Sequence, residues 1–558
     1  MAVEAGSDAD KARNLATIWE TIADEVPDSP ALIHGDLTRT WREFEDRAAR
    51  LASALSAAGL GADSKVAHFL FNGPEYLETS FGAMKIRGVP VNVNYRYLED
   101  ELAYLLDNSD AEAIVFSDEL ADRVAAVMPR SPGVKLWLQV DSSSAGDAAP
   151  VPTIDGAVSY EEAIGASKPQ APQERSANDL WFLYTGGTTG MPKGVMWPHD
   201  SLVGTTGATL RPLGLEEPQS IDQARANVRD LHGRGEVRRL LPAAPLMHGT
   251  SGLTSLISLS IGGAVVTVAG SGLDADALLT AVQQNRVNTM TIVGDVFAKP
   301  MIAAMRRAID EGRPYDTSSL TLMVSSGVMW SAETKAEILE LIPDVMLLDS
   351  LGSSEGVGFG GSVSAAKKKT ATAKFTLGEN TRVFTDDGQE VQAGSGDVGV
   401  LAVGGLIPLG YYKDETKSAE TFREINGRRW SMPGDFATVE ADGTITLLGR
   451  GSVSINSGGE KIFPEEVEEA LKTHDSVHDA NVVGLADEKW GQRVVAVASP
   501  CDGHAIDAEA LIAHVKTVIS PFKAPKEIVA VDAVMRGPNG KADYRWAKSV
   551  AEDASVTT

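Results

Sequence analysis

The sequence predicts an α/β protein with a smaller α+β domain at its C-terminal end, and three observations carry that prediction. Short apolar, β-favouring runs alternate with amphipathic stretches along the first part of the chain, the pattern of strands covered by helices. At 558 residues the chain is too long for one ordinary core and calls for about two to four domains. Near Gly449 the character changes: "GRGSVSINSGGEKIFPEEVEEAL" is rich in turn residues, opens a helix at Pro464, and leads into a compact stretch with its own strands and helices. The boundary is expected at 450–452, dividing residues 1–449 from 450–558.

The elements follow in order. Thr40-Trp41-Arg42-Glu43 has capping-box spacing, and Trp41, Phe44, Ala48, Leu51 and Leu55 recur at helical intervals until Gly59 and Gly61 stop the helix. "SKVAHFLF" reads as a strand, the stretch from Pro74 to Arg87 as a helix, and "AEAIVFS" and "KLWLQV" as further strands. The stretch from Asp141 to Asp179, rich in Ser, Ala, Pro and Gly, reads as a surface connection with a short helix at Tyr160 to Ile164. Arg225 to Arg239 reads as a charged surface insertion and Lys367 to Lys369 as a solvated loop. Thr250 to Gly270 is uncharged, but Ser, Thr and Gly interrupt it, so it reads as a buried helix followed by a strand at Ala264 to Val268 rather than a membrane span. "DANVVGLA" and "RVVAVASP" are the expected strands of the small domain.

Composition narrows the function classes. The net charge of −27 opposes binding to nucleic acid or to an anionic membrane, both of which need basic patches. An anionic substrate must therefore be drawn in by local groups. The single cysteine, Cys501, allows neither a disulfide within the chain nor a cysteine-based metal site, which suits a reducing cytoplasm. "MAVEAGSDADKARN" lacks the basic-then-apolar pattern of a signal peptide.

"LWFLYTGGTTGMPKGVMWPHDSL" supplies such local groups. Leu180 to Tyr184 form a buried strand, after which Gly186, Gly187, Gly190 and Gly194 remove side chains at close spacing. Glycines at this density let backbone N–H groups converge on an anion. Thr185, Thr188 and Thr189 add hydroxyls and Lys193 adds a positive charge. The segment is not a Walker A loop, because Lys193 lies between Pro192 and Gly194 with no Ser or Thr after it. Taken alone, a solvated turn after a strand would look the same.

Further segments, in order, decide between the two: "LPAAPLMHG", "SSGVMWS", "LDSLGSSEG", "WSMPGD", "GRGSVSINSGGEKIFPEEVE" and "GPNGKADYR". Together with "YTGGTTGMPKGV" they resemble the acyl-adenylate-forming superfamily of acyl-CoA synthetases, adenylation domains and luciferases, from roughly Ala31 to Lys548. Within it the chain is most similar to bacterial fatty-acyl and steroid-side-chain CoA ligases. The resemblance implies two layered α/β subdomains, a β-rich subdomain near residues 350–448, and a small mobile C-terminal lid. It also implies a two-step reaction. A carboxylate attacks the α-phosphate of ATP to give acyl-AMP and pyrophosphate, and the thiol of coenzyme A then displaces AMP.

The resemblance assigns the residues. Thr185, Gly186, Gly187, Thr189, Gly190 and Lys193 would hold the β- and γ-phosphates, and Thr188 and Glu355 would organise Mg²⁺, an oxygen-seeking ion. Lys541 would neutralise charge between carboxylate and α-phosphate. Asp435 and Arg450 would meet the ribose. Gly327, Asp349, Leu351, Gly352 and Ser354 would lie along the nucleotide, and Gly458 and Gly459 beside the pantetheine channel. His248, Met247, Val328 and Met329, with Trp330 and Phe359, would line the acid pocket. Singly, Asp435 and Lys541 read first as turn residues and His248 as a core histidine, while Arg450 could be a surface ion pair and Glu355 a helix N-terminal charge; the ordered set favours the site.

The sequence departs from the family at several points. Gly186 stands where a serine is usual, Leu351 where a tyrosine covers the adenine, Ser354 where threonine is usual, Ser452 at the hinge, and Asn456 where a lysine is common. The substrate implied is a hydrophobic mono-acid, with ATP and coenzyme A as co-substrates and a homodimer compatible with the family. Two rivals stand beside this reading: an adenylating ligase whose acceptor is an amine or a carrier-protein thiol, and a binding protein that holds nucleotide or fatty acid without turnover.

Overall fold

The computed structural model describes residues 7–141, 151–185, 191–270, 272–328, 330–366, 374–450, 453–457, 460–487, 491–536 and 541–557. Three sheets organise them. The seven-stranded sheet runs from Val158–Ser159 through Leu136–Val140, Ala111–Ser117, Lys65–Phe69, Val89–Asn92 and Leu180–Thr185 to Lys193–Pro198. Its neighbours are parallel except the last pair, an antiparallel hairpin. Buried on both faces, its inner strands read as continuous apolar runs, which is why they were legible in the sequence.

The fifteen-stranded sheet has two characters. Pro30–His34, Ala264–Thr267, Arg239–Pro242, Thr289–Ile292, Leu322–Ser325 and Met346–Ser353 are parallel, the later ones linked by helices such as Ala275–Asn285 and Gly294–Asp310. From Gly356–Ser364 to Thr444–Arg450 every pairing is antiparallel. The β-rich part thus continues the second α/β sheet, because hairpins need only short turns where parallel strands need crossovers.

The Thr40 capping box forms as expected: Thr40 Oγ1 accepts from Glu43 N, and Glu43 Oε2 accepts from Thr40 N at 2.7 Å. It opens the helix Trp41–Ala57, whose Phe44 packs with Trp41, Trp19 and Phe81 at ring separations of 5.1–5.8 Å.

Two expectations are corrected. The stretch from 225 to 239 is not a surface insertion. It lies within the helix Ile221–Arg234 and runs into the inner strand Arg239–Pro242. Val228 and Leu231 are buried while Arg229 pairs outward with Glu25 at 2.8 Å, so outward charges masked an amphipathic helix. The connection up to Asp179 is superficial only in part. Its helix Tyr160–Ala166 forms as expected, but Arg175 is buried, bonded to Glu20 at 2.7 and 2.8 Å beside Lys85. This buried ion cluster leaves no trace in local composition. Lys367 to Lys369 lie outside the described residues.

The five-stranded sheet is built from Ile455–Ser457, Glu460–Ile462, Val477–Asp487, Gly491–Pro500 and Glu527–Ala530. Its strands alternate strictly. Val482, Val494, Ala496 and Ala498 face the helices Pro464–Lys472 and Ala508–Val518, while Val483, Leu485, Val495 and Val497 face the helix Tyr544–Thr557. Each face therefore has its own core, separate from the large domain. Among the described residues no helix is long and apolar enough to cross a membrane.

Candidate functional site

The Gly/Thr segment sits at the open end of the hairpin. Thr185 and Lys193 are its last paired residues, and Gly186, Gly187, Thr188, Thr189 and Gly190 lie outside the described residues. The hairpin itself is tightly set. A Cβ on Gly194 would stand 2.6 Å from the Tyr184 ring, so glycine lets the tyrosine lie across the pair. Asn92, at the C-terminal end of its strand, receives Tyr184 N at 2.5 Å and donates to Tyr184 O at 3.0 Å and Met247 O at 2.7 Å. Asn72 does the same for the next segment, donating to Pro242 O and Ala244 O and accepting from Leu246 N at 2.7 Å. These two amides tie the hairpin to the segment before His248.

Lys193 pairs with Asp414 and lies 5.9 Å above the Tyr411 ring. Glu355 is next to the same tyrosine. It is 8% exposed, and its Oε1 accepts from Tyr411 Oη at 2.9 Å. Its carbonyl accepts from Ser431 Oγ at 2.6 Å, and the carbonyl of Ser354 accepts from Trp197 Nε1 at 3.0 Å. Oε2 has no hydrogen-bond partner among the described residues. Among those residues no group of three or more His, Cys, Asp or Glu could hold a metal. Mg²⁺ held mainly through substrate phosphates and water would need only one or two protein oxygens, and Glu355 Oε2 would fit as one of them.

The expected nucleotide side gathers at the ends of the parallel strands, where open α/β sheets bind ligands. Gly327 follows Leu322–Ser325 with φ +95°, a left-handed conformation that favours glycine. A Cβ there would lie 4.0 Å from Thr250 Oγ1, and one on Gly352 would lie 3.9 Å from Ser326 Oγ. The turn, the Leu351–Gly352 segment and the start of the His248 helix therefore meet. Asp349 is buried, with its Oδ2 3.0 Å from Lys335 Nζ. Burial pushes its carboxyl up while Lys335 opposes the shift.

Asp435 and Arg450 are Cα partners in adjacent antiparallel strands, and Gly434 before them has φ +98°. His248 ends the loop before the helix Gly249–Ser260. Its pKa falls to about 4, first through burial and then through the positive charges of Lys541 and Arg96. Lys541 belongs to the small domain, so the two domains face each other here. Phe436 and Phe463, one from each side, pack at 5.4 Å.

Of the expected pocket residues, Met247 and Phe359 are 2% exposed within the main core, and Trp330 is fully buried in the second core. Val328 is half-buried. Met329, Ser452, Gly458 and Gly459 lie outside the described residues. Asn456 is exposed on the strand Ile455–Ser457, its backbone N–H bonded to Gln492 Oε1 at 2.7 Å.

Sequence reasoning missed Asn72, Asn92, Trp197, Tyr411, Ser431 and Arg96. A signal existed for the asparagines: each directly follows an apolar strand run, in "FLFN" and "VPVN", at the strand end where ligands bind. Tyr411 and Ser431 lie far from Glu355 in sequence, and only the sheet brings them together.

Comparison with known proteins matches residues 19–412 to the AMP-binding enzyme family and residues 466–541 to the AMP-binding enzyme C-terminal domain. A medium/long-chain-fatty-acid–CoA/3-oxocholest-4-en-26-oate–CoA ligase of Mycolicibacterium smegmatis is 43% identical over 550 residues, 97% of each chain. A 3-oxocholest-4-en-26-oate–CoA ligase of Rhodococcus rhodochrous is 42% identical, covering 96% of both. Among solved structures, an anthranilate CoA ligase in complex with anthranoyl-AMP superposes with a TM-score of 0.81 over 97% of this chain and 98% of its own, at 21% identity, which bears on the fold alone.

Proposed function

The chain belongs to the AMP-binding enzyme family and is an AMP-forming acyl-CoA ligase, and from that membership we propose that its acid is a hydrophobic mono-carboxylate, a medium- to long-chain fatty acid or a steroid side-chain acid. The acids named for the two relatives, similar along nearly the whole chain, support this class. The observation that carries the adenylation chemistry is the position of Lys541. Its charge bears on His248, at the start of the helix Gly249–Ser260, so a cation carried by the small domain reaches the acyl side of the large one.

The residues then divide the work. Backbone N–H groups of Gly186, Gly187 and Gly190, with the hydroxyls of Thr185, Thr188 and Thr189, hold the β- and γ-phosphates. Thr188 and Glu355 would be the oxygen ligands for Mg²⁺, which would neutralise phosphate charge. Lys541 offsets the repulsion as a carboxylate oxygen bonds to the α-phosphorus and the bond to pyrophosphate breaks. Asp435 and Arg450 take the ribose hydroxyls, and the Gly327 turn with Leu351, Gly352 and Ser354 borders the adenine. His248, neutral near pH 7, forms an uncharged wall on the acyl side. In the second step the coenzyme A thiolate attacks the acyl carbon and the bond to AMP breaks. Gly458 and Gly459 are assigned to the pantetheine path and Ser452 to the hinge. The boundary at 450–452 is supported by the change from the large sheet, which ends at Arg450, to the small sheet, which begins at Ile455. A cytoplasmic location belongs to the same reading.

The test is pyrophosphate release with ATP and Mg²⁺ across short, medium and long fatty acids, aryl acids and steroid side-chain acids, each with and without coenzyme A. Release with hydrophobic mono-acids, and thioester when coenzyme A is present, is the expected result. Release that prefers short or aryl acids would overturn the substrate class. Release without thioester would point to an amine or carrier-thiol acceptor.

A further inference from the structure

Four consecutive side chains, Tyr411 to Asp414, reach three different parts of the large domain. Tyr411 Oη donates to Glu355 Oε1 at 2.9 Å. Tyr412 Oη donates to Asp110 Oδ2, and Lys413 Nζ to Asp110 Oδ1, both at 2.7 Å. Asp414 pairs with Lys193. The backbone of the same segment lines the free edge of the hairpin: Tyr412 N donates to Gly194 O at 2.8 Å, and Met196 N to Gly410 O at 2.9 Å. The end of the Gly/Thr loop and Glu355 are therefore joined through Tyr411 and Asp414.

We propose that Tyr411 is a positioning residue for adenylation, holding Glu355 by Oε1 so that Oε2 is the oxygen offered to Mg²⁺, while Asp414 fixes the loop end through Lys193. The proposal rests on the reading of Glu355 as the magnesium ligand. A phenol donating to a mostly buried carboxylate makes a charge-assisted bond, stronger than a neutral one. It can restrain only one oxygen, so it fixes the rotation of the carboxylate and leaves the other oxygen available. The Ser431 bond holds the backbone of Glu355 but not its carboxylate, so the phenol sets the orientation.

The test measures ATP affinity of the full-length protein without acid, where no adenylation occurs, in Mn²⁺ and in EDTA. Wild type, Tyr411→Phe, Glu355→Gln and the double variant are compared, with melting temperatures as a check on folding. Expected is a loss of about tenfold in the Mn²⁺-dependent tightening for Tyr411→Phe, affinity in EDTA within about twofold of wild type, and no further loss when Tyr411→Phe is added to Glu355→Gln. Equal weakening with and without metal, or additive losses in the double variant, would overturn the proposal by assigning Tyr411 to the fold. A wild type whose ATP affinity ignores Mn²⁺ would instead remove the Glu355 reading itself, and this proposal with it. Ser431→Ala gives an independent arm in a small, buried side chain. Its loss should be smaller and again confined to Mn²⁺, and a metal-independent loss would count against the network.

Discussion

On the large domain, Glu355 and its neighbours are fixed by groups drawn from three distant parts of the chain: Trp197 on the hairpin, Tyr411 beside it, and Ser431 in the antiparallel part of the second sheet. On the small domain, Lys541 is exposed and follows Arg536 in a loop closed by the bridge between Arg536 and Ala542. Arg536 anchors that loop through two bonds to Asp479, at 2.6 and 2.5 Å. Each arrangement is anchored to its own core. Glu355 is built into the large domain, whereas the lysine is carried by a body with its own separately packed cores.

The largest effect expected from this contrast is that of Lys541→Ala. The preorganised cation is lost while the phosphate side stays intact. The adenylation rate should fall by about 10²–10³, and ATP affinity measured without acid should hold within a few-fold. A variant that lost nucleotide binding in proportion to rate would show that the lysine belongs to the large-domain architecture after all.

Asn92→Ala tests the other body. Three buried bonds disappear at once, leaving Tyr184 N, Tyr184 O and Met247 O without the amide. The loss should be on the order of 3 kcal/mol, because unsatisfied buried groups cost about 1–3 kcal/mol each and part of the gap can relax. Hydrogen exchange should rise at 180–198 and 242–250 and stay unchanged in 455–551. Protection lost equally in both domains would mean that their cores are not independent.

The two bodies also differ in how much of each could be read from sequence. Strands such as Ala111–Ser117 match their apolar runs residue for residue, and the small-domain strands fall where their alternation put them. Periodicity is a local property, and these elements obey it. The buried ion cluster around Arg175, the asparagine clamps and the hold on Glu355 join residues more than fifty positions apart and leave no local pattern. The helix Ile221–Arg234 was hidden because its outward charges outnumber its buried residues. The motif order singled out Glu355 and Lys541, and the fold adds what holds Glu355 in place.

The smallest effect expected is one of pH, and it runs in opposite directions in the two bodies. Burial lowers the pKa of His68 to about 3, and of His199 and His248 to about 4, from an ordinary 6.5. All three lie in the large domain. Between about 4 and 6.5 the unfolded chain binds protons that the folded domain refuses, so their contribution is full above 6.5 and is lost as pH falls. Glu75, raised to about 7 by burial and the like charge of Glu78, opposes them in part. In the small domain, burial and the like charge of Glu465 push Glu468 from 4.5 up to about 8, against the pull of Lys472, the Val482 N–H and Arg536. There the folded state keeps a proton the unfolded chain has released, so this contribution is present at low pH and is lost as pH rises through 8. Glu468 accepts from Val482 N at 2.9 Å, a bond that the amide oxygen of Glu468→Gln can keep. Segment-resolved hydrogen exchange of the full-length protein should show large-domain protection falling from pH 6.5 towards 4. Protection of 464–484 should instead fall from about pH 4.5 towards 8, and Glu468→Gln should flatten that decline without touching the histidine-linked change in the large domain. An unchanged slope in the variant would show that Glu468 stays ionised in the fold, and the contrast in pH between the two bodies would lose its physical basis.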